Sequence, residues 1–463
     1  MMEFSRQAVA ALLLCSATVH ARALPERQSI AITDVTVVDV AHAPSITPRT
    51  VIIDNGRITS IAREAHVPAH ALRVDGHGRF LISGLVDMHV HWFNLSSHRP
   101  PNDWTFPLFI ANGVTAVREM RGDAASIALV NGWRKSLDAG ELAVPRVLAA
   151  GIAVYGKTPQ DATVQVDAAA AAGADFIKVF SEVPASHWRA ILAAAKAHTL
   201  PVAGHVPAGV TLLDAAAAGQ CSSEHLMQAY EACSSIEAQV LGERRDLQGE
   251  AQVELRDAQE ARVLAAFDAK TCRRIAKSLA ATGQAQVPTL VLANEDSLDA
   301  DSLGTDPRWR YLRADERARW KNFLAGYTAQ DAALARQRWP VAHRIVAAMH
   351  DAGVPILAGT DTPMPGVYPG FSLHEELALL VESGMTAREA LRAATLAPAQ
   401  FLGIEASSGS VAVGKRADLV LLDADPTKDI RNTRRINAVI LDGRLLRRAD
   451  LDALLDEAAN AQR

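Results

Sequence analysis

The stretch Leu81–His91, LISGLVDMHVH, runs a series of apolar residues into two histidines one residue apart, His89 and His91. Read as a strand, its period of two turns both imidazoles to one face and sends Val90 into the wall behind them. A parallel barrel carries its chemistry at the C-terminal ends of its strands, so an apolar strand ending in reactive groups suits that architecture. Runs of the same kind follow: VTAVREM (114–120), PRVLAAGIAV (145–154), DFIKVF (175–180), PVAGHV (201–206), CSSEHL (221–226), VPTLVLA (287–293) and VPILAGTD (354–361). Ala-rich helical stretches separate them. With the opening strand they number eight, which predicts a (β/α)8 TIM barrel of the α/β class over residues 81–400. A doubly wound open sheet is the alternative, but no GxGxxG phosphate turn follows the first strand.

Four further candidate ligands close or follow these runs: Lys178, His205, His225 and Asp361. A lone HxH is weak among 15 histidines, since a buried, hydrogen-bonded histidine is the commoner outcome. Six such groups at the same end of successive strands describe a metal site.

Both ends of the chain have a different character. SIAITDVTVVDV (29–40) and TVIIDNGRITSIA (50–62) are rich in β-branched residues, and Asn55-Gly56 is a two-residue hairpin signal. RADLVLLDADP (416–426) and AVILDGRLL (438–446) repeat that character, and neither end has enough strands for a stable sheet alone. The expectation is a small β-sandwich domain completed by residues 28–80 and 405–450.

Composition, at 49% hydrophobic and 21% charged, describes a globular chain with a large core. A formal net charge of -5 and the absence of a basic run give no footprint for nucleic acid, so a small-molecule partner is expected. Arg6, the apolar run 8–19 and Ala21-Arg22-Ala23 fit a secretory signal peptide over residues 1–23, hence a periplasmic or secreted protein. That run is too short for a stable span, which needs about 20 apolar residues. Removing it leaves Cys221, Cys233 and Cys272, enough for one disulfide at most. Self-association as a homo-oligomer stays open. Two long, polar, Ala-rich connections, from His225 to about residue 285 and from about 293 to 353, read as helical. Trp309, Tyr311, Trp320, Tyr327 and Trp339 in the second either line a lid over the barrel mouth or pack a small core of their own.

Taken with SLHEELALLVESGMTAREALRAATLAPAQFLG (372–403) and GKRADLVLLDADPTKDI (414–430), the motifs GLVDMHVH, GVTAVREM, GADFIKV, GHVP, SEHL and AGTD resemble the amidohydrolase superfamily. Within it they are most similar to the imidazolonepropionase-like and Xaa-Pro dipeptidase-like metal-dependent hydrolases, over residues 30–445. The resemblance implies two divalent metal ions, zinc by default, one on His89, His91 and Asp361 and the other on His205 and His225. It also implies that Lys178 bridges them. A lysine ammonium has no lone pair to offer, but its neutral amine can capture carbon dioxide as a carbamate, whose two oxygens can hold two cations. An ordinary ion pair of Lys178 is the competing reading.

Such a centre implies hydrolysis of an amide or peptide C–N bond by a metal-bridging hydroxide, with Asp361 as the catalytic proton carrier. The expected substrate is dipeptide-like or an N-acyl amino acid. A cyclic amide or lactone is the alternative within the same chemistry, a mononuclear deaminase a further one, and a non-catalytic binding protein on the same scaffold the remote one. Relatives carry a Gly-Gly-His element where this chain has Val154-Tyr155-Gly156-Lys157, which makes Tyr155 and Lys157 substrate-binding candidates. Tyr230 and His374 are two more, with a buried aromatic and a helix cap as their ordinary readings.

Overall fold

The computed structural model describes residues 23–41, 47–93, 101–295 and 305–461. The expected signal peptide therefore lies outside the described residues apart from Ala23. Seven parallel strands form one continuous sheet in chain order: β6 (Leu85–Val90), β7 (Val114–Gly122), β8 (Arg146–Ala153), β9 (Phe176–Val179), β10 (Val202–Gly204), β11 (Ser222–Glu224) and β12 (Ala285–Val287). The eighth run, 354–361, closes the ring through single bridges, Gln286 to Ile356 on one side and Val90 to Thr362 on the other. It forms no continuous ladder because Pro355 lacks an amide hydrogen and Asp361 sits at a φ of +67°. The result is a nearly closed parallel barrel.

The seventh strand differs from the expected 287–293. It ends at Val287, and Leu290–Glu295 is a helix. Pro288 cannot donate to a ladder and Thr289 has a φ of +47°, so the chain turns there although LVLA is apolar enough for a strand.

β1 (Ile30–Val37), β2 (Arg49–Asp54), β3 (Arg57–Ala62), β4 (Leu72–Asp75) and β5 (Phe80–Ser83) join β13 (Leu419–Leu422), β14 (Ile436–Leu441) and β15 (Arg444–Arg447) in a second, mostly antiparallel sheet. Asn55 and Gly56 both have positive φ, as the two-residue hairpin between β2 and β3 requires. Ile30, Ile32, Val51 and Ile53 from the N-terminal side pack with Leu419, Leu421 and Ile440 from the C-terminal side in one core. Each end of the chain thus buries the other's apolar face.

Helices wrap the barrel, and its first long connection runs through Met227–Ala232, Glu237–Glu243, Glu250–Ala265 and Ala269–Ala280. Cys233 and Cys272 form a disulfide across it, leaving Cys221 free. In the second connection Trp309, Tyr311 and Trp320 pack with Trp104, Tyr368 and Phe371, so these aromatics build a local core. Trp339 stands edge-on to His343 at 4.2 Å, and Tyr327 faces Phe323 at 6.2 Å. Among the described residues no helix is long and apolar enough to cross a membrane.

Candidate metal centre

The barrel interior changes from apolar to polar along its axis. Val86, Met88, Ala116, Val287 and Leu357 fill the lower layer. Along β6 the pairing with β7 then shifts by one residue between Asp87 and Val90, which resets the alternation. Above the shift His89 and His91 share a face, and Val90 goes to the outer core.

His89 Nε2 and His91 Nε2 lie 3.3 Å apart and meet the same Asp361 Oδ1 at 3.1 and 2.8 Å. One ligand atom from each of the three falls within 4.8 Å of the others. His225 places its ring 4.9 Å from that of His89 and 5.0 Å from that of His205. Lys178 is wholly buried, and its Nζ has no hydrogen-bond partner among the described residues. All six sequence candidates therefore stand at one end of the barrel. Asp361 and His225 hold positive φ angles of +67° and +61°, a conformation that non-glycine residues adopt at a cost and that concentrates at functional sites. Beneath Lys178, Gly204 is the residue that fits, since a Cβ there would lie 2.3 Å from Val179 O and 2.8 Å from Lys178 Cδ.

Three of the imidazoles are oriented from behind. Glu224 Oε2 faces His89 Nδ1 at 2.9 Å, the Thr289 hydroxyl lies 2.8 Å from His225 Nδ1, and Ser181 Oγ lies 3.1 Å from His205 Nδ1. Each contact leaves an Nε2 for the cavity, the arrangement in which histidine ligands are normally held. Glu224 is itself fixed by Arg118, whose Nη2 donates to both carboxylate oxygens at 2.9 Å, while Arg118 Nε donates to Met88 O at 2.7 Å. Asp87 accepts from Thr360 Oγ1 at 2.6 Å, tying β6 to the closing segment.

Burial sets the protonation states. It lowers His91 to about 4 and His225 to about 3, and takes His205 well below its usual value, so these rings are neutral and carry lone pairs. Burial opposes ionisation of Asp361, but His225, His89 and His91 outweigh it and hold the carboxyl well below the usual range. Burial also lowers Lys178 to about 8, against the opposing pull of Glu224 and Asp361. Neutral imidazoles, an ionised carboxylate and an unpartnered amine form a donor set that fits divalent metal ions.

A family comparison decides the kinship: the profile of the amidohydrolase family matches residues 80–446. The chain belongs to the amidohydrolase family. Among curated relatives it is 40% identical over 84 residues to the imidazolonepropionase of Pseudomonas savastanoi pv. phaseolicola, and 31% identical over 99 residues to the 5'-deoxyadenosine deaminase of Methanobrevibacter smithii. These matches cover 18% and 19% of this chain and span only 21% and 23% of those relatives' length. Among solved structures a prolidase candidate from Bifidobacterium longum aligns at a TM-score of 0.65 and 25% identity, over 94% of this chain and all of that one. A bottromycin amidohydrolase aligns at 0.71 and 23% identity, covering 94% and 90% of the two chains. A Xaa-Pro dipeptidase with bound methionine aligns at 0.62 and 20%, covering 91% of this chain and all of that one. The last two likenesses speak to the fold.

The remaining sequence candidates fall in different places. Tyr155 stacks on Phe180 with ring centroids 5.3 Å apart, next to Lys178. Lys157 is exposed on the loop that caps the helix Pro159–Ala172. Tyr230 is buried in the main core, just after His225. His374 is also buried, with Nδ1 2.9 Å from Thr433 Oγ1 and Nε2 3.0 Å from the Asn112 carbonyl, so both ring nitrogens are engaged away from the cavity. The helix-cap expectation for it gives way to a bridge inside the fold. Arg118 and Glu224 went unassigned in the sequence, though each is a charge within an apolar barrel run, where it must be paired.

Proposed function

We propose that this amidohydrolase cleaves the C–N bond of a small dipeptide-like or N-acyl amino acid substrate with two divalent metal ions. The observation that carries the reading is the meeting of four histidines, Asp361 and an unpartnered Lys178 at one end of the barrel. His89, His91 and Asp361 would hold one ion, and His205 and His225 the other. Lys178 would stand between them as its carbamate, formed when the neutral amine adds to carbon dioxide and releases one proton. Imidazole and carboxylate donors favour zinc as the resident ion. When bound, the pair supplies Lewis acidity that acidifies water and polarises a carbonyl.

The chain's own groups manage the protons and the geometry. Asp361 accepts a proton from the attacking water and returns it to the leaving nitrogen, which must be protonated before the bond breaks. The Glu224–Arg118 pair keeps the Nδ1 proton of His89 in place, so Nε2 faces the cavity throughout. The leader-like residues 1–23 support export to the periplasm, where small peptides are scavenged.

The test is a panel of Xaa-Pro and other dipeptides, N-acyl amino acids, cyclic amides and lactones against protein of measured metal content. Turnover of open amides at two metals per chain is expected. Turnover confined to rings would replace the open-chain reading with the cyclic one. One tightly bound ion with deaminase activity would overturn the binuclear assignment, and binding without turnover of any class would overturn the enzyme reading.

A further inference from the structure

The turn after β12 holds His225 at two points. His225 N donates to Val287 O at 2.8 Å, and its Nδ1 faces the Thr289 hydroxyl, also at 2.8 Å. Thr289 precedes the short helix Leu290–Glu295 and opens it, its carbonyl accepting from Leu292 N at 3.0 Å. A threonine in that place ordinarily adopts extended backbone and turns its hydroxyl onto the amide two or three residues on, satisfying a donor that the helix cannot. Thr289 does neither: its φ is +47°, and its hydroxyl is given to His225.

The amide it leaves is met from another helix. Glu376, on Phe371–Glu382, is wholly buried, and its Oε2 accepts from Val291 N at 2.8 Å. Its Oε1 is shielded from solvent and has no hydrogen-bond partner among the described residues. Burial raises the carboxyl to about 8, assisted by the charge of Asp87 and opposed by the Val291 and Leu290 amides. At neutral pH it is therefore a protonated acid that accepts through one oxygen. Burying such a group with one oxygen unpaired is costly, and a threonine that could supply the cap stands beside it. The engagement of that threonine with His225 accounts for the arrangement.

Without Glu376 two tendencies act on Thr289 in one direction. The open Val291 amide draws its hydroxyl, and a return to extended backbone relieves a positive φ that β-branched residues rarely adopt. Either turns the hydroxyl away from His225 Nδ1, whose proton fixes which ring nitrogen keeps a lone pair for the cavity. We propose that Glu376 is a positioning residue: by capping the helix at Leu290 it frees Thr289 to hold His225, and so governs the affinity of the ion assigned to His205 and His225. The inference rests on the two-metal reading and deepens it.

The test reads the ring and the metal separately. In one arm, heteronuclear NMR of histidine-labelled, metal-free protein follows the His225 tautomer, assigned with His225→Gln. It compares wild type, Glu376→Leu, Glu376→Gln, Thr289→Val and the double variant Glu376→Leu/Thr289→Val. In the other arm, chelator competition with zinc gives the affinity of each ion. Wild type and Glu376→Gln, whose amide keeps an accepting oxygen, should hold the His225 proton on Nδ1. Glu376→Leu and Thr289→Val should each mix the two tautomers and weaken one ion by roughly 10- to 100-fold, the usual loss when a contact behind a ligand is removed, with the other ion nearly unchanged. The double variant should be no worse than Thr289→Val alone, because both changes act through one contact. Glu376→Asp, one methylene shorter, takes the place of Glu376→Leu if that variant does not fold. A single His225 tautomer without the Glu376 cap overturns the proposal, as do losses that add in the double variant or a Glu376→Gln that behaves like Glu376→Leu. Mixed tautomers with both ions bound as tightly as in wild type would instead defeat the ligand role of His225 and leave the link from Glu376 to its ring standing.

Discussion

Glu224→Gln separates a positioning role at His89 from simple partnership with Arg118. The carboxylate is fully buried and meets three donors: Arg118 Nη2 at 2.9 Å on both oxygens, Ser222 Oγ at 2.5 Å and His89 Nδ1 at 2.9 Å. An amide of the same shape carries no charge and replaces one oxygen by an NH2, which meets the Arg118 Nη2 donor in either orientation and also meets His89 Nδ1 when it takes the Oε2 place. Either way the buried guanidinium loses its counter-charge, which costs about 3–5 kcal/mol of stability. Facing His89, it loosens the ring and its tautomer, and loss of such a contact typically lowers metal affinity by roughly 10- to 100-fold. That range corresponds to about 1.4–2.8 kcal/mol of binding energy. The assay pairs urea denaturation of the metal-free protein with metal affinity from chelator competition. Both quantities should fall, whereas Ser222→Ala, which keeps the charge, should leave metal affinity nearly unchanged. Metal affinity within twofold of wild type in a destabilised Glu224→Gln would refute the positioning role and leave Glu224 as the mate of Arg118 alone.

Three other outcomes are expected. Lys178→Ala should lose bound metal and turnover, with partial recovery in added short carboxylic acids that replace the carbamate oxygens; full activity and full metal content without them would defeat the bridging role. Asp361→Asn should stay folded and lose roughly 10²- to 10⁴-fold in kcat, the usual contribution of a positioned proton carrier, and a near wild-type rate would remove the assignment. His374→Gln should act on acid stability. Burial and the neighbouring Arg434 lower the folded His374 to about 3 from 6.5, so its neutral form favours folding at pH above 6.5 and that contribution is lost as pH falls. Replacing it should flatten the decline in unfolding free energy below pH 6.5 by about 1.4 kcal/mol per pH unit, with the substrate KM unmoved. An unchanged acid slope, or a raised KM, would contradict this.

The barrel was legible because its strands are short, apolar and buried on both faces, and because the metal-site candidates cluster where those runs end. Its seventh strand was misplaced for a local reason. Apolar content alone does not separate a buried strand from a buried helix turn, and only Pro288 argued against carrying the strand through LVLA. The paired chain ends were legible from β-branched composition and from Asn55-Gly56, whose positive φ angles are a property of the dipeptide itself. The pairing of Cys233 with Cys272 was not, since three thiols allow three pairings and only the fold chooses among them.

The site divides along the same line. His89 and His91 could be placed on one face because the spacing of two holds on any strand, although the face is reached here through a shift that the sequence does not announce. A second such shift, in β7, turns Arg121 to the mouth, and nothing in VTAVREMRG marks it. His374 and Tyr155 differ in the same hidden way. Both were read as polar groups near the substrate, yet His374 has two protein partners for its two nitrogens, whereas the Tyr155 hydroxyl has none beyond Arg121 among the described residues. Whether a polar side chain serves the fold or waits for a ligand depends on that difference in satisfaction. It is a property of three-dimensional neighbours, so local sequence can nominate such residues and only their hydrogen-bond accounts can separate them.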